Sequence, residues 1–180
     1  MPPWFLHFVS AQEKESKSAS NRFIQFATLG IDNTPRVRTV VFRGWTELYE
    51  MKILTDKRSQ KFYELEINNN VEICWFFSKA KSQFRFRGKS IIDCSNDVSF
   101  HWNKLNEKAK SMWSWPSPRE RFVEDIYNNI NVSDNKNKSE NFVLLKINIL
   151  HVDQLLLHKP IHIRRQWKKS NNWLEERINP

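Results

Sequence analysis

Glycine is scarce in this sequence, with three residues in a chain of 180. The chain has no dinucleotide-binding Gly-x-Gly-x-x-Gly turn and no Gly-rich phosphate loop, which argues against both of these nucleotide sites. A bound phosphate would therefore be held by side chains and by a helix N-terminus. Unpaired N–H groups and about half a positive charge favour anions there.

Cysteine and long apolar runs are scarce as well. Cys74 and Cys94 both fall in apolar, strand-like runs, which indicates buried reduced thiols and not a disulfide framework. No apolar run reaches the roughly 18 residues of a membrane helix. Residues 1–8 lack the basic start and the longer apolar core of a signal peptide, so the predicted location is the cytoplasm.

The sequence also lacks the usual signals of metal and hydrolase sites. The five histidines show no metal-ligand spacing with cysteine or carboxylate residues, and there is no Gly-x-Ser-x-Gly elbow. What the chain has in excess is positive charge, because 29 Lys and Arg against 20 Asp and Glu give a formal charge of +9. This charge predicts an anionic partner: a phosphorylated small molecule, nucleic acid or an anionic membrane.

The length fits one domain, residues 1–180. Hydrophobic periodicity predicts a mainly β, α+β fold in which short antiparallel strands form a barrel. The predicted strands are 23–29, 37–43, 51–55, 71–77, 83–93, 142–150, 151–158, 161–167 and 173–178. The predicted helices are 4–19, 58–68, 99–115 and 119–130. Residues 131–141 are polar and of low complexity, which predicts a mobile surface loop.

Residues 37–61 contain a candidate phosphate site. Two predicted strands lead there to a helix for which Ser59 is the predicted N-cap. Thr55, Ser59 and Lys61 place hydroxyl groups and a cation at this helix end, which suits a phosphate. The alternative is a turn and a capped helix with no ligand.

Four motifs in fixed order resemble the pyridoxamine 5'-phosphate oxidase family of FMN-binding split barrels, over about residues 4–180. The segment 113–118, Trp-Ser-Trp-Pro-Ser-Pro, is similar to the cyanobacterial-type branch of that family. The four motifs are Arg38-x-Val40-Val41-Phe42-Arg43, Thr55-x-x-x-Ser59-x-Lys61, Gln83-Phe84-Arg85-Phe86-Arg87-Gly88 and the closing Arg177-Ile178-Asn179-Pro180.

The resemblance implies an antiparallel Greek-key split β-barrel with peripheral helices, working as a homodimer with FMN at the subunit interface. It implies oxidation of a phosphorylated small molecule such as pyridoxamine 5'-phosphate, by hydride transfer to FMN and reoxidation by dioxygen. For cofactor binding it implies Arg38, Thr39, Val40, Val41, Leu54, Thr55, Ser59, Gln60, Lys61, Gln83, Ser117 and Arg165. For substrate binding it implies Arg43, His162 and Arg164.

Two departures from the family pattern affect these roles. Gln60 stands where the family commonly has arginine, so one charge is missing there, and Arg58 is a candidate to replace it. Residues 162–166 fall where the family has Arg-x-His-x-Arg, but the order here is His-x-Arg-Arg-Gln. The FMN arginine is therefore matched either to Arg165 or, as a replacement, to Gln166. The substrate is less well defined by the resemblance than the cofactor.

Several of these residues also have purely structural interpretations. Arg38 could be a barrel-rim arginine paired with a carboxylate, Gln83 could face solvent, and segment 113–118 could pack a core. Side-chain alternation puts Arg38 and Arg43 on opposite faces of their strand. Both can reach one ligand only if a bulge lies between them or if the strand ends before Arg43. Gly44 permits the strand to end there.

Two other functions remain open at this stage. A flavin-binding or flavin-reductase-like protein without oxidase activity fits the altered segment 162–166. A nucleic-acid binder, a remote alternative, fits the net charge and the basic and aromatic residues interleaved around Arg85 and Arg87.

Overall fold

A computed structural model describes residues 1–15, 19–125 and 137–180. The strands are β1 Phe23–Leu29, β2 Pro35–Trp45, β3 Met51–Asp56, β4 Asn70–Phe77, β5 Ser82–Ile92, β6 Phe142–Leu156, β7 Ile163–Lys168 and β8 Glu176–Ile178. The α-helices are α1 Pro3–Glu13, α2 Gln60–Ile67, α3 Asp97–Asn103 and α4 Glu107–Ser111. Within the described ranges, no helix is long and apolar enough to cross a membrane.

The strands form one antiparallel sheet in the order β3-β2-β1-β4-β5-β6-β7-β8, and β3 also pairs with β6. The second pairing closes β1 to β6 into a six-stranded barrel. Strand β4 lies beside β1 after the hairpin-connected β1, β2 and β3, which is a Greek key. The prediction of a mainly β, antiparallel split barrel with peripheral helices is therefore confirmed.

Strand β6 belongs to both parts of the sheet. Its residues 142–147 pair with β3, and its residues 151–156 pair with β7. Strands β7 and β8 thus continue the sheet outside the barrel. Because β6 has 15 residues, it carries the chain from the closed barrel to this extension without a turn.

Helix α1 packs its apolar face against the residues that fill the barrel. Trp4, Phe8 and Ala11 are buried, and the ring centroid of Phe8 lies 5.1 Å from that of Trp75. Trp4 lies 5.7 Å from Phe86 in the same way. The helix thus packs against the residues that fill the barrel, and it ends at Glu13 and not at the predicted residue 19.

The prediction of separate strands over 142–150 and 151–158 was wrong, because β6 is continuous. Arg87 pairs with His151 whereas Gly88 pairs with Ile149, so Leu150 is an extra, bulged residue. The bulge shifts the side-chain alternation, and in the sequence this shift looks like a strand end. Gly88 is needed opposite it, since a Cβ there would lie 2.2 Å from a backbone oxygen of β6.

The predicted helix over 99–115 was also wrong in its continuity. It is divided into α3, α4 and a 3₁₀ turn, Met112–Ser114. Asn106 begins the second piece, because its side chain accepts a hydrogen bond of 2.8 Å from the backbone N–H of Ala109. This local cap competes with helix continuation.

Three other sequence predictions differ from the structure or lie partly beyond what it describes. Residues 119–123, predicted to begin a helix, form turns and irregular backbone. Residues 126–136, which hold the rest of that helix and most of the predicted loop 131–141, lie outside the described residues. Both cysteines are free thiols, but neither is fully buried as predicted, since Cys74 is half-buried and Cys94, after β5, is exposed.

Candidate functional site

The outer face of β2 and the end of β3 border a cavity of about 460 Å³. This volume is within the range of about 300–1,000 Å³ that is usual for ligand pockets. Residues between 112 and 120 form the opposite wall. The predicted site residues that line the cavity are Thr39, Val40, Val41, Arg43, Leu54, Thr55, Lys61 and Ser117.

One end of this cavity is a cluster of hydroxyl groups and a cation at the start of α2. The Ser59 hydroxyl donates to the backbone oxygen of Asp56 at 2.7 Å and lies 3.2 Å from the Thr55 hydroxyl. Lys61 Nζ donates to the Ser59 Oγ at 3.1 Å. The sequence analysis identified these three residues together, and Ser59 is the N-cap of α2, as predicted.

The electrostatics of this end favour an anion. Burial and the positive charge of Arg38 lower the pKa of Lys61, and the carboxylates of Asp56 and Glu64 only partly oppose this. A phosphate placed against Lys61 would offset both effects, because an opposite charge stabilises the ammonium form.

Arg38 lies on the inner side of β2 and outside the lining of the cavity. Its guanidinium donates to Glu64 Oε2 at 2.8 Å and also contacts the Thr28 hydroxyl. Glu64 is 1% exposed and accepts a further hydrogen bond from Thr28 at 2.5 Å. The structure thus places Arg38 as a rim arginine paired with a carboxylate, one of the two interpretations of the sequence.

Arg38 and Arg43 remain on opposite faces of β2. A bulge is present, since the pairing of β2 with β3 shifts by one residue between Phe42 and Trp45, and Gly44 has a φ of 119° there. Arg43 still faces outward with Thr39 and Val41, as simple alternation requires. The bulge therefore does not bring the two arginines into one cavity.

Arg58 holds the opposite wall of the cavity, segment 113–118, in place through hydrogen bonds. It donates to Asp56 through Nε at 3.0 Å and Nη2 at 2.7 Å, and this hydrogen bonding raises its pKa. It also donates to the backbone oxygens of Trp115 and Trp113, at 2.9 and 3.3 Å. Through these hydrogen bonds Arg58 holds segment 113–118 in place. Because its guanidinium is already engaged in this way, the structure does not support Arg58 as a substitute for the charge missing at Gln60.

Segment 113–118, the aromatic wall, lines the cavity and also packs against a small core. Trp113 contacts Phe142 and Trp102, with ring centroids 5.0 and 5.8 Å apart. Trp113, Trp115 and Ser117 also line the cavity. Segment 113–118 therefore combines core packing with lining of the cavity.

A second cavity, of about 430 Å³, adjoins the first at Arg43. It is lined by four basic residues: Arg22, Arg43, His101 and Lys104. Arg43 Nε and His101 Nε2 are buried and have no hydrogen-bond partner among the described residues. Burial, and to a smaller extent the positive charge of Arg22, lowers the pKa of Arg43. Burial, and to a smaller extent the positive charge of Lys52, lowers the pKa of His101.

Sequence reasoning missed three residues of this second cavity: Arg22, His101 and Lys104. They come from segments that are far apart along the chain, and only the net positive charge hinted at such a cluster. A buried guanidinium N–H without an acceptor is costly in a folded protein. A bound anion would accept from Arg43 Nε beside the cations Arg22 and Lys104, which makes this second cavity a candidate phosphate site as well.

The remaining predicted residues lie on or beside β5 and β7. Arg164 pairs with Asp153 at 2.9 Å, and Arg165 pairs with Glu175 at 3.0 Å. His162 contacts the backbone oxygen of residue 158 at 3.2 Å. In the closed ring of six strands, β5 is separated from β2 by two strands in either direction. One chain therefore cannot place Gln83 of β5 and the outer face of β2 against the same ligand.

A family model described as "Pyridoxamine 5'-phosphate oxidase, FMN-binding domain" matches residues 1–93. This range contains strands β2 and β3, helix α2 and Gln83 of β5. It also contains Thr55, Ser59 and Lys61. The match therefore covers the basic end of the cavity, whereas segment 113–118 lies beyond it.

Individual proteins also resemble the chain. Pyridoxine/pyridoxamine 5'-phosphate oxidase 2 of Arabidopsis thaliana is 37% identical over 123 residues, which are 67% of this chain and 60% of that protein. Pyridoxine/pyridoxamine 5'-phosphate oxidase of Psychrobacter sp. (strain PRwf-1) is 32% identical over 91 residues, 50% of this chain and 42% of that protein. The chain thus matches less than two thirds of the length of each of these relatives.

A solved structure aligns over nearly the full length of both chains. It is a pyridoxamine 5'-phosphate oxidase-related, FMN-binding protein from Nostoc punctiforme PCC 73102, with a TM-score of 0.89 and 27% identity. The alignment covers 100% of this chain and 99% of that chain.

Proposed function

The chain belongs to the pyridoxamine 5'-phosphate oxidase, FMN-binding domain family, and we propose that it is an FMN-dependent oxidoreductase acting on a phosphorylated substrate such as pyridoxamine 5'-phosphate. The sequence prediction of FMN as the cofactor is confirmed by this match and by the FMN-binding Nostoc structure. The substrate and the reaction are the proposed part.

The residues of the first cavity fit FMN. The observation that carries the proposal is a basic end lined by Thr55 and Lys61, with the buried Ser59 hydroxyl beside both, in a cavity with apolar walls. The walls include Val41, Leu54 and Trp113, which suit a flat aromatic ring, and Lys61 with Ser59 suits a phosphate. The distribution of charge therefore matches a molecule with an apolar ring at one end and a dianion at the other.

The proposed mechanism needs positioning more than acid–base chemistry. When bound, FMN supplies the redox chemistry, accepting a hydride from the substrate and returning the electrons to dioxygen. Lys61, Ser59 and Thr55 hold the cofactor phosphate, and the aromatic wall clamped by Arg58 excludes water. Arg43, which lines both cavities, orients the substrate beside the ring.

We assign the substrate phosphate to the second cavity. Arg43 was the substrate arginine expected from the resemblance, and the structure surrounds it with Arg22, Lys104 and His101. A dianion there would accept from Arg43 Nε, a buried donor that has no partner among the described residues. This assignment replaces a site built by one chain from Arg43 and Arg164.

An oxygen-consumption assay tests the proposed reaction. FMN-loaded protein should convert pyridoxamine 5'-phosphate, water and dioxygen into pyridoxal 5'-phosphate, ammonia and hydrogen peroxide in equal amounts. Unphosphorylated pyridoxamine, which lacks the group held by the second cavity, should react at least about tenfold more slowly. Absence of substrate-dependent oxygen consumption by the loaded protein would contradict the oxidase reaction.

The position of Gln83 and Arg165 supports a homodimer. Gln83 lies on β5, two strands away from β2, and Arg165 lies on β7, outside the barrel. A second copy of the chain could bring both predicted FMN ligands to the cavity. Sedimentation of the FMN-loaded protein should therefore find a dimer with one FMN per chain. A monomer that retains stoichiometric FMN would show that the site is complete within one chain, against this proposal.

A flavin-reductase-like protein is the second candidate function. It is favoured by the altered segment 162–166, in which Arg164 and Arg165 are already paired with Asp153 and Glu175. Arginines neutralised within their own chain are weaker candidates for a substrate phosphate. Its distinguishing property would be reduction of the flavin by a nicotinamide and not by pyridoxamine 5'-phosphate.

The nucleic-acid alternative has little support in the structure. Arg85 and Arg87, whose spacing suggested it, both pair with Glu72, at 2.5 and 3.4 Å. Their charges are thus partly balanced within the sheet.

A further inference from the structure

Arg119 lies at the basic end of the first cavity. Its side chain lines the cavity, and Nη1 donates a hydrogen bond to the Gln60 side-chain oxygen. Gln60 is the first residue of α2 and lies between Ser59 and Lys61. The contact therefore brings a guanidinium to the helix end where the hydroxyl groups and the Lys61 ammonium are gathered.

The backbone holds Arg119 in an uncommon conformation. Its φ is 76°, in the left-handed region that residues other than glycine occupy at a cost of about 1–3 kcal/mol. Pro118 precedes it and restricts the chain on that side. This conformation turns the chain so that the side chain of Arg119 reaches across to α2.

Two other arginines near this end are already engaged. Arg58 is paired with Asp56 and clamps the aromatic wall. Arg38 is paired with the buried Glu64. For Arg119, the structure shows no ion pair with a carboxylate among residues 1–15, 19–125 and 137–180, so within that part of the chain its charge is not balanced by a carboxylate partner.

We propose that Arg119, positioned by Gln60, is a further ligand of the flavin phosphate and helps the protein distinguish FMN from riboflavin. This inference rests on the proposed placement of FMN in the first cavity. A neutral amide at position 60 is what the arrangement needs, because an arginine there would repel Arg119. The positive charge that is missing at position 60 is thus supplied by the wall that closes the cavity, in addition to that of Lys61 on α2.

The test compares FMN and riboflavin binding to apo-protein by quenching of flavin fluorescence. The variant is Arg119→Gly, since glycine tolerates the positive φ and the fold should be retained. FMN affinity should fall about tenfold, the usual effect of losing one charge-assisted hydrogen bond. Riboflavin affinity should change less than about twofold, and Arg121→Gly, at an exposed neighbouring arginine, should change neither.

A charge relocation provides the second arm of the experiment. The double variant Gln60→Arg with Arg119→Gly returns a guanidinium to the same helix end, and it should recover most of the FMN affinity. If wild-type protein binds FMN but Arg119→Gly leaves the ratio of FMN to riboflavin affinity unchanged, the role of Arg119 is overturned while the proposed function stands. If wild-type protein binds FMN no more tightly than riboflavin, the phosphate site and this inference both fail.

Discussion

Replacing Lys61 by alanine should weaken FMN binding by about 1.5–3 kcal/mol, the usual contribution of a hydrogen bond to a charged group. Lys61 is the cation that lines the cavity next to the Ser59 hydroxyl, 3.1 Å away. Riboflavin binding should be nearly unaffected, because riboflavin has no phosphate for Lys61 to contact. Titration of apo-protein with each flavin, followed by fluorescence quenching, measures both affinities.

The matched control is Lys57→Ala, which removes an exposed lysine from the same turn and lies outside the cavity lining. It should leave FMN affinity within about 0.5 kcal/mol of the wild-type value. Equal losses of FMN and riboflavin in Lys61→Ala would mean that the lysine supports the fold of the pocket and does not bind a phosphate. Unchanged FMN affinity in Lys61→Ala would show that the phosphate does not bind at Lys61.

Replacing Arg43 by alanine should lower kcat/KM for pyridoxamine 5'-phosphate by about 10–100-fold, while bound FMN stays in place. Arg43 lines both cavities, and its buried Nε has no partner among the described residues. Binding of the remote phosphate is what positions the reacting C–H bond over the flavin, so its loss slows the reaction itself. Steady-state kinetics together with the FMN content of the purified variant give the two readouts.

Unphosphorylated pyridoxamine is the control substrate for Arg43→Ala. Its slow oxidation should be unchanged, because it makes no contact that the variant removes. His101→Asn should have a smaller effect than Arg43→Ala near pH 7, since the lowered pKa of His101 leaves the imidazole neutral in the free protein. Equal loss of activity toward both substrates would indicate a general defect of the pocket and exclude a role in phosphate recognition.

The sequence predicts the parts of this fold that depend on local pattern. The alternation of Phe84, Phe86 and Gly88 with Gln83 and Arg85 is the alternation of buried and outward side chains that β5 shows. The aromatic spacing of α1 is also local. The continuity of β6 is not, because the bulge at residue 150 depends on the strand that pairs with it. Such a shift can be located only when the partner strand is known.

The candidate site also contains both residues that local sequence pattern predicts and residues that it does not. Thr55, Ser59 and Lys61 are close in sequence, and their gathering at one helix end follows from the turn that they form. The ion pair of Arg38 with Glu64 joins a strand to a helix and depends on how the two pack. No spacing in the sequence indicates that Glu64 is buried there.

The second cavity and Arg119 lie furthest from what a sequence pattern can show. Arg22 comes from the turn before β1, whereas His101 and Lys104 come from α3 and the residue after it, and only the folded chain brings them to Arg43. Arg119 is recognisable only once its contact with Gln60 and its backbone conformation are known. Each case needs the positions of residues that are distant along the chain.

The most direct test of the central claim is an anaerobic titration of FMN-loaded protein with pyridoxamine 5'-phosphate, followed through the absorbance of the oxidised flavin. The account predicts that the flavin band is bleached, that pyridoxal 5'-phosphate appears in equal amount, and that admission of dioxygen restores the band. An unchanged band with this substrate, together with bleaching by a nicotinamide reductant, would contradict the oxidase function and establish the reductase-like alternative in its place.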